Sequence, residues 1–114
     1  MTNEDKLQAE CVRWFRYQYP QYTLFAIPNG GQRNAVTGAT LKKTGTLAGV
    51  ADLFLMSPDP DNVYHGLFIE MKSGKNNQTT SQIIFQAQAE DAGYRYEVCR
   101  SFDEFQTVIN NYLS

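Results

Sequence analysis

The chain has 114 residues, 42% hydrophobic, 19% charged and 13% aromatic, with a formal net charge of −2. That length suits one domain with a single core. No apolar run approaches the ~20 residues needed to span a bilayer, and the polar start Met1-Thr-Asn-Glu-Asp-Lys6 opens no signal peptide.

Cys11 and Cys99 are too few for a disulfide framework and lack metal-ligand spacing, so they read as reduced, buried thiols. The lone His65 excludes a His-rich metal site, and a cytoplasmic location is the default expectation. The acidic balance argues mildly against nucleic-acid binding. Against it, Arg33, Lys42 and Lys43 fall in one loop, and Lys72 and Lys75 fall in another stretch.

In chain order, residues from about Asn3 to Tyr19 are expected to form a helix, capped by Thr2 or Asn3 and stopped by Pro20. Leu7, Cys11, Trp14 and Phe15 give it an apolar stripe at helical spacing. Glu10 sits at the edge of that stripe. It reads either as a half-exposed glutamate pairing with Lys6 or Arg13, or as a carboxylate leaning toward a site.

Tyr22–Ile27 is a short β-type run that breaks at Pro28-Asn-Gly-Gly31. The following stretch, Gln32 to about Thr46, reads as a long loop with room for a helical turn over Ala39–Thr44. Its Arg33, Lys42 and Lys43 suit phosphate contacts, although a connector with solvated charges explains them too.

Two further runs carry chemistry. Gly49-Val-Ala-Asp-Leu-Phe-Leu-Met56 and Phe68-Ile-Glu-Met-Lys-Ser-Gly74 flank Ser57-Pro-Asp-Pro-Asp-Asn62, which is dense in turn formers. They are expected to pair as an antiparallel hairpin whose partners sum to roughly 122 in residue number, from a turn centred near position 61. Asp52 then lies opposite Glu70, with Lys72 on the same face by period-two alternation, while Leu67, Ile69 and Met71 point into a core.

Two adjacent carboxylates repel unless a proton or a cation separates them. Mg²⁺ suits such a site, because it prefers oxygen ligands and leaves positions open for water and phosphate. A lysine beside it can orient the attacking water and offset charge on a phosphate. An exposed ion-pair cluster is the competing reading of a bare Glu-x-Lys.

Past this hairpin, a polar loop containing Lys75 leads to a helix over about Ser81–Ala92, capped by Thr79 or Thr80 and stopped by Gly93. Gln82 in its first turn reads as a group that holds water or a phosphate oxygen, or as ordinary surface glutamine. Tyr94–Cys99 alternates as a strand. Ser101-x-x-Glu104 is a capping box opening a last helix to about Tyr112. The order is α-β-β-β-α-β-α.

The ordered series Glu10, Gly49-Val-Ala-Asp52, Glu70-Met-Lys72 and Gln82 resembles the PD-(D/E)xK nuclease superfamily. More narrowly it is similar to the virus-type replication-repair nuclease (VRR-Nuc) domain, through Pro28-Asn-Gly-Gly-Gln-Arg33, Lys43-Thr-Gly45, Thr80-Ser-Gln82 and Ala92-Gly-Tyr94. The resemblance spans nearly the whole of residues 1–114, read as one domain. Ala51 stands where the motif usually has proline.

The resemblance implies an α/β, restriction-endonuclease-like αβββαβ core, a mixed sheet flanked by helices, with an extra C-terminal helix. It also implies Mg²⁺- or Mn²⁺-dependent hydrolysis of DNA phosphodiesters. Glu10, Asp52, Glu70 and the Met71 backbone carbonyl match the family's metal-binding groups, Lys72 its catalytic lysine, and Gln82 the helix residue completing the site. Stand-alone members are similar to Holliday-junction resolvases, which implies a homodimer acting on branched DNA in a bacterium or a phage-infected cell. A non-catalytic nucleic-acid-binding module on the same scaffold is the alternative.

Overall fold

The computed structural model describes residues 1–28 and 35–114. The elements are α1 (Asn3–Gln18), β1 (Leu24–Ala26), α2 (Ala35–Lys43), β2 (Leu53–Leu55), β3 (Leu67–Met71), α3 (Thr80–Asp91), β4 (Arg95–Cys99) and α4 (Phe102–Leu113). The four strands form one mixed sheet in the order β1-β2-β3-β4. β1, β2 and β3 pair antiparallel, whereas β4 lies parallel to β3. A parallel neighbour needs a crossover, and α3 supplies it. The expected mixed sheet flanked by helices is therefore the observed architecture.

The hairpin has the expected register. Leu53 pairs with Ile69, Phe54 with Phe68, and Leu55 with Leu67. Because side chains alternate, Leu53, Leu55, Leu67, Ile69 and Met71 all point to one face and are fully buried. Cys11 and Phe15 of α1, and Phe105, Ile109 and Tyr112 of α4, close over them to complete the core. The opposite face of the sheet carries an aromatic row. Phe68 stacks on Phe54 with ring centroids 4.6 Å apart, and it meets Phe85 of α3 edge-on at 5.1 Å. Phe85 and Ala89 turn the apolar side of α3 toward the sheet; Ile83 and Ile84 are each 54% exposed.

The caps explain where the helices sit. Thr2 and Asp5 form a reciprocal capping box at α1, as Thr79 and Gln82 do at α3. At α4 the expected box is only half made. The Ser101 hydroxyl accepts from the Glu104 amide, but the Glu104 carboxylate accepts from the Arg100 amide.

The stretch expected as a loop with a helical turn is instead the nine-residue helix α2. It ends in a Schellman motif: the Gly45 amide donates to the Lys42 carbonyl, the Thr46 amide donates to the Leu41 carbonyl, and Gly45 has φ +108°. Val36, Thr37, Gly38 and Thr40 are poor helix formers and break any apolar stripe, so the periodic signal is weak. Among the described residues no helix is long and apolar enough to cross a membrane.

Candidate active site

The end of β3 gathers the candidate groups. Asp52, just before β2, is half-buried, and its Oδ2 accepts a 2.7 Å hydrogen bond from the Met71 amide. Glu70, on the same face by the pairing register, is 3% exposed. Its Oε2 accepts from Gln82 Nε2 at 3.1 Å, while its Oε1 is buried with no N–H or hydroxyl donor among the described residues, leaving Asp52 to share a proton with the carboxyl.

Lys72 follows on the same face, 7% exposed, its amide donating to the Cys99 carbonyl at 3.0 Å. The three side chains predicted from alternation and register are therefore assembled at the open end of the hairpin. Met71 contributes its amide to Asp52 and buries its side chain in the opposite core.

Gln82 is held from both ends. Its Oε1 accepts from the Thr79 amide at 2.9 Å as half of the α3 capping box, which leaves its NH₂ group to donate to Glu70. Helix α3 therefore reaches the site through one amide, and that amide orients a carboxylate. Gly49 makes the approach possible. It has φ +87°, and a Cβ there would run into the Ser81 carbonyl at the start of α3.

Electrostatics record the crowding. Burial first, and then the charge of Asp52 and a hydrogen bond shared with it, push the Glu70 carboxyl up to about 8, while the Lys72 ammonium pulls it down. Burial also raises Asp52, against the Met71 amide, the hydrogen bond shared with Glu70 and the charge of Lys72, which lower it. A carboxyl raised in the folded state binds its proton more tightly there than in the unfolded chain.

Stability of the metal-free protein is therefore expected to be fullest near pH 4.5 and to fall as pH rises toward about 8, by an amount on the order of a few kcal/mol. Thermal melts across that range without divalent cations would show it. A melting temperature that climbed from pH 5 to pH 8 would contradict the crowding.

The third acid differs from the one expected from sequence. Glu10 is exposed and lines a surface groove with Arg13, Trp14, Tyr17 and Phe102, so the structure does not bring it to the carboxylate pair. Glu4 stands there instead. Half-buried, it accepts from the Ser73 amide at 3.5 Å, and its charge raises both Asp52 and Glu70.

The reason is geometric. Six residues along a helix shift a side chain by roughly 9 Å and about 120° around the axis, and it is the N-terminus of α1 that meets the hairpin end. A signal was present in the sequence: Glu4, Leu7, Cys11 and Phe15 lie on one stripe, so Glu4 is an acid on the buried face. Glu4→Gln is expected to lower both raised carboxyls and to alter site behaviour, while Glu10→Gln leaves the site unchanged. Comparing carboxyl titrations of the two variants by NMR would check it.

Lys42, Lys43 and Lys75 are exposed, Lys42 lining a groove that Gln82 also lines; Arg33 lies outside the described residues. Arg100 is a contributor that sequence reasoning missed. Its guanidinium donates to the carbonyls of Gly74 and Asn76, tying down the loop that bears Lys75.

Among the described residues no three His, Cys, Asp or Glu side chains stand close enough to hold a metal on their own. Two crowded carboxyls, both raised by burial, still fit a hard divalent cation, because Mg²⁺ is usually held by one or two carboxylates and keeps several waters.

Comparison with known proteins agrees with this architecture. The family model of the VRR-NUC domain matches residues 2–103. A solved structure titled "VRR_NUC domain protein" superposes with a TM-score of 0.79 at 24% identity, covering 98% of this chain and 88% of the other, a likeness of fold. Among curated proteins no match is found. With its carboxylate pair and lysine set on that scaffold, the chain belongs to the VRR-NUC domain family and is a nuclease-type domain.

Proposed function

We propose that this protein is a Mg²⁺- or Mn²⁺-dependent DNA endonuclease that hydrolyses phosphodiester bonds, acting as a homodimer on branched DNA such as Holliday junctions. The observation that carries the reading is the Glu70 carboxyl, almost fully buried and raised to about 8, crowded against Asp52 with the Lys72 ammonium beside them. Two crowded, buried carboxyls must hold a proton or a cation between them, and a divalent ion can take the proton's place.

Asp52 and Glu70, with the Met71 carbonyl, would hold the cation, which supplies positive charge to the phosphate and acidifies water. Gln82 fixes the carboxylate through its single hydrogen bond to Oε2. Asp52 is fixed separately by the Met71 amide, so each acid of the pair is oriented before substrate arrives. Glu4 adds a third negative group at the rim, reaching the site through water. Lys72 orients the nucleophilic water and offsets charge on the phosphate. Lys42, Lys43 and Lys75, with Arg33, contact the DNA backbone.

Support for the dimer and the branched substrate is the resemblance to stand-alone resolvases, together with the need for two sites to make paired cuts. A panel of junction, flap, nicked and linear DNAs, incubated with Mg²⁺, Mn²⁺ or EDTA, tests the whole reading. Cleavage that requires the cation and favours branched DNA is the expected result. Binding with no cleavage in any condition would favour the non-catalytic alternative.

A further inference from the structure

Beside the carboxylate pair runs a half-open groove of about 330 Å³ between α2, the chain leading to Gly49, and the first turn of α3. One wall is apolar, made by Leu41, Leu47 and Val50; the other carries Ser81 and Gln82, with Lys42 among the lining groups. Gln82 belongs to both places, since the side chain that lines the groove also donates to Glu70 at 3.1 Å. The close approach of Gly49 to Ser81 brings the two walls together beside it.

The volume lies at the small end of ligand sites, which run from about 300 to 1,000 Å³. That suits one nucleoside-sized group. A continuous duplex would lay only sugars and phosphates against this groove, and its apolar wall would have no matching partner. An unstacked base offers what the wall and rim ask for: apolar faces, a hydrogen-bonding edge, and a linked phosphate for the ammonium. Continuity through Gln82 then sets the phosphate of that nucleotide beside the acids.

We infer that this groove takes one unpaired nucleotide of the strand held at the carboxylate pair, so that the protein selects DNA already unpaired next to the bond it holds. The inference rests on the nucleic-acid part of the proposed function and narrows it to a substrate class. Removing a base from a duplex stack costs a few kcal/mol, and least where the base is already unpaired. Selection for gaps and branch points follows from that cost with no contact to a particular sequence.

The test uses the Lys72→Ala protein, so that binding is read without cleavage. Fluorescence anisotropy compares a duplex containing a short single-stranded gap with the same duplex made continuous. Gapped DNA is expected to bind about tenfold more tightly, roughly 1.4 kcal/mol. Ala48→Trp fills the groove from an exposed position, and Leu47→Asn makes its wall polar without a charge at a residue 53% exposed, so neither disturbs the core.

Each variant is expected to bring gapped DNA down to duplex affinity while leaving duplex binding as it was. Equal affinity of the parent for both DNAs, or a gap preference that survives both variants, would overturn the inference. Cleavage by the protein with Lys72 intact reports separately. A gap preference without cleavage on any DNA would remove the nuclease reading and leave the groove standing.

Discussion

Replacing Lys72 with alanine is expected to lower DNA cleavage by about a thousandfold, a loss typical of removing one charged or polar group from a reacting centre. The side chain is 7% exposed, on the same face as Glu70 and two residues along the strand. Its charge is the one that lowers both carboxyls of the pair. A buried ammonium at a strand end has little reason to be there for stability alone.

The backbone at this point is held independently, by the hydrogen bond from the Lys72 amide to the Cys99 carbonyl. Circular dichroism and DNA binding are therefore expected to stay close to those of the parent. Nicking at the normal rate in Mg²⁺ would place the chemistry elsewhere.

Gly49→Ala is expected to be the most damaging small substitution outside the core. The residue has φ +87°, where a side chain is strained, and a new Cβ would collide with the backbone carbonyl of Ser81. A backbone atom at a helix start cannot step aside as the tip of a side chain can. Strain and displacement together are expected to cost about 3 kcal/mol, or roughly 10 °C in Tm for a domain of this size.

The damage should also reach the site, because moving the first turn of α3 draws Gln82 away from Glu70. Gly45→Ala is the control. It too has positive φ, +108°, but its Cβ would meet nothing within 4 Å. That variant is expected to lose only about 1–2 kcal/mol and to keep full cleavage. Paired thermal melts and cleavage rates would separate the two, and equal effects would refute the role assigned to the Gly49–Ser81 contact.

Much of the site was legible because it depends on arithmetic that sheets obey. A turn centred near one position fixes the sum of paired residue numbers. The pairs Leu53 with Ile69 and Leu55 with Leu67 meet it, so Asp52 falls beside Glu70 and Lys72 shares their face. The stop of α3 at Gly93 and its cap at Thr79 were legible for the same local reason.

What was misread depends on how helices dock. The family resemblance, not the stripe itself, made Glu10 the site acid of α1, and the placement of the helix N-terminus against Ser73 brings Glu4 to the pair instead. α2 was obscured by a weak pattern with Gly38 inside it, although Gly45 marked its end. Arg100 gave no signal at all: its partners are the Gly74 and Asn76 carbonyls, more than twenty residues away in the chain. Tyr96, whose hydroxyl accepts from Gln78 beneath α3, is likewise set by tertiary packing.

The central claim is that Asp52 and Glu70 form a divalent-cation site, and Mn²⁺ titration calorimetry at pH 8 measures it most directly. The protein is expected to bind the ion with release of protons from the raised carboxyls. Asp52→Asn and Glu70→Gln should each lose most of that affinity, and Glu10→Gln should lose none. Absence of binding heat in the parent protein, or unchanged affinity in both carboxylate variants, would contradict the account.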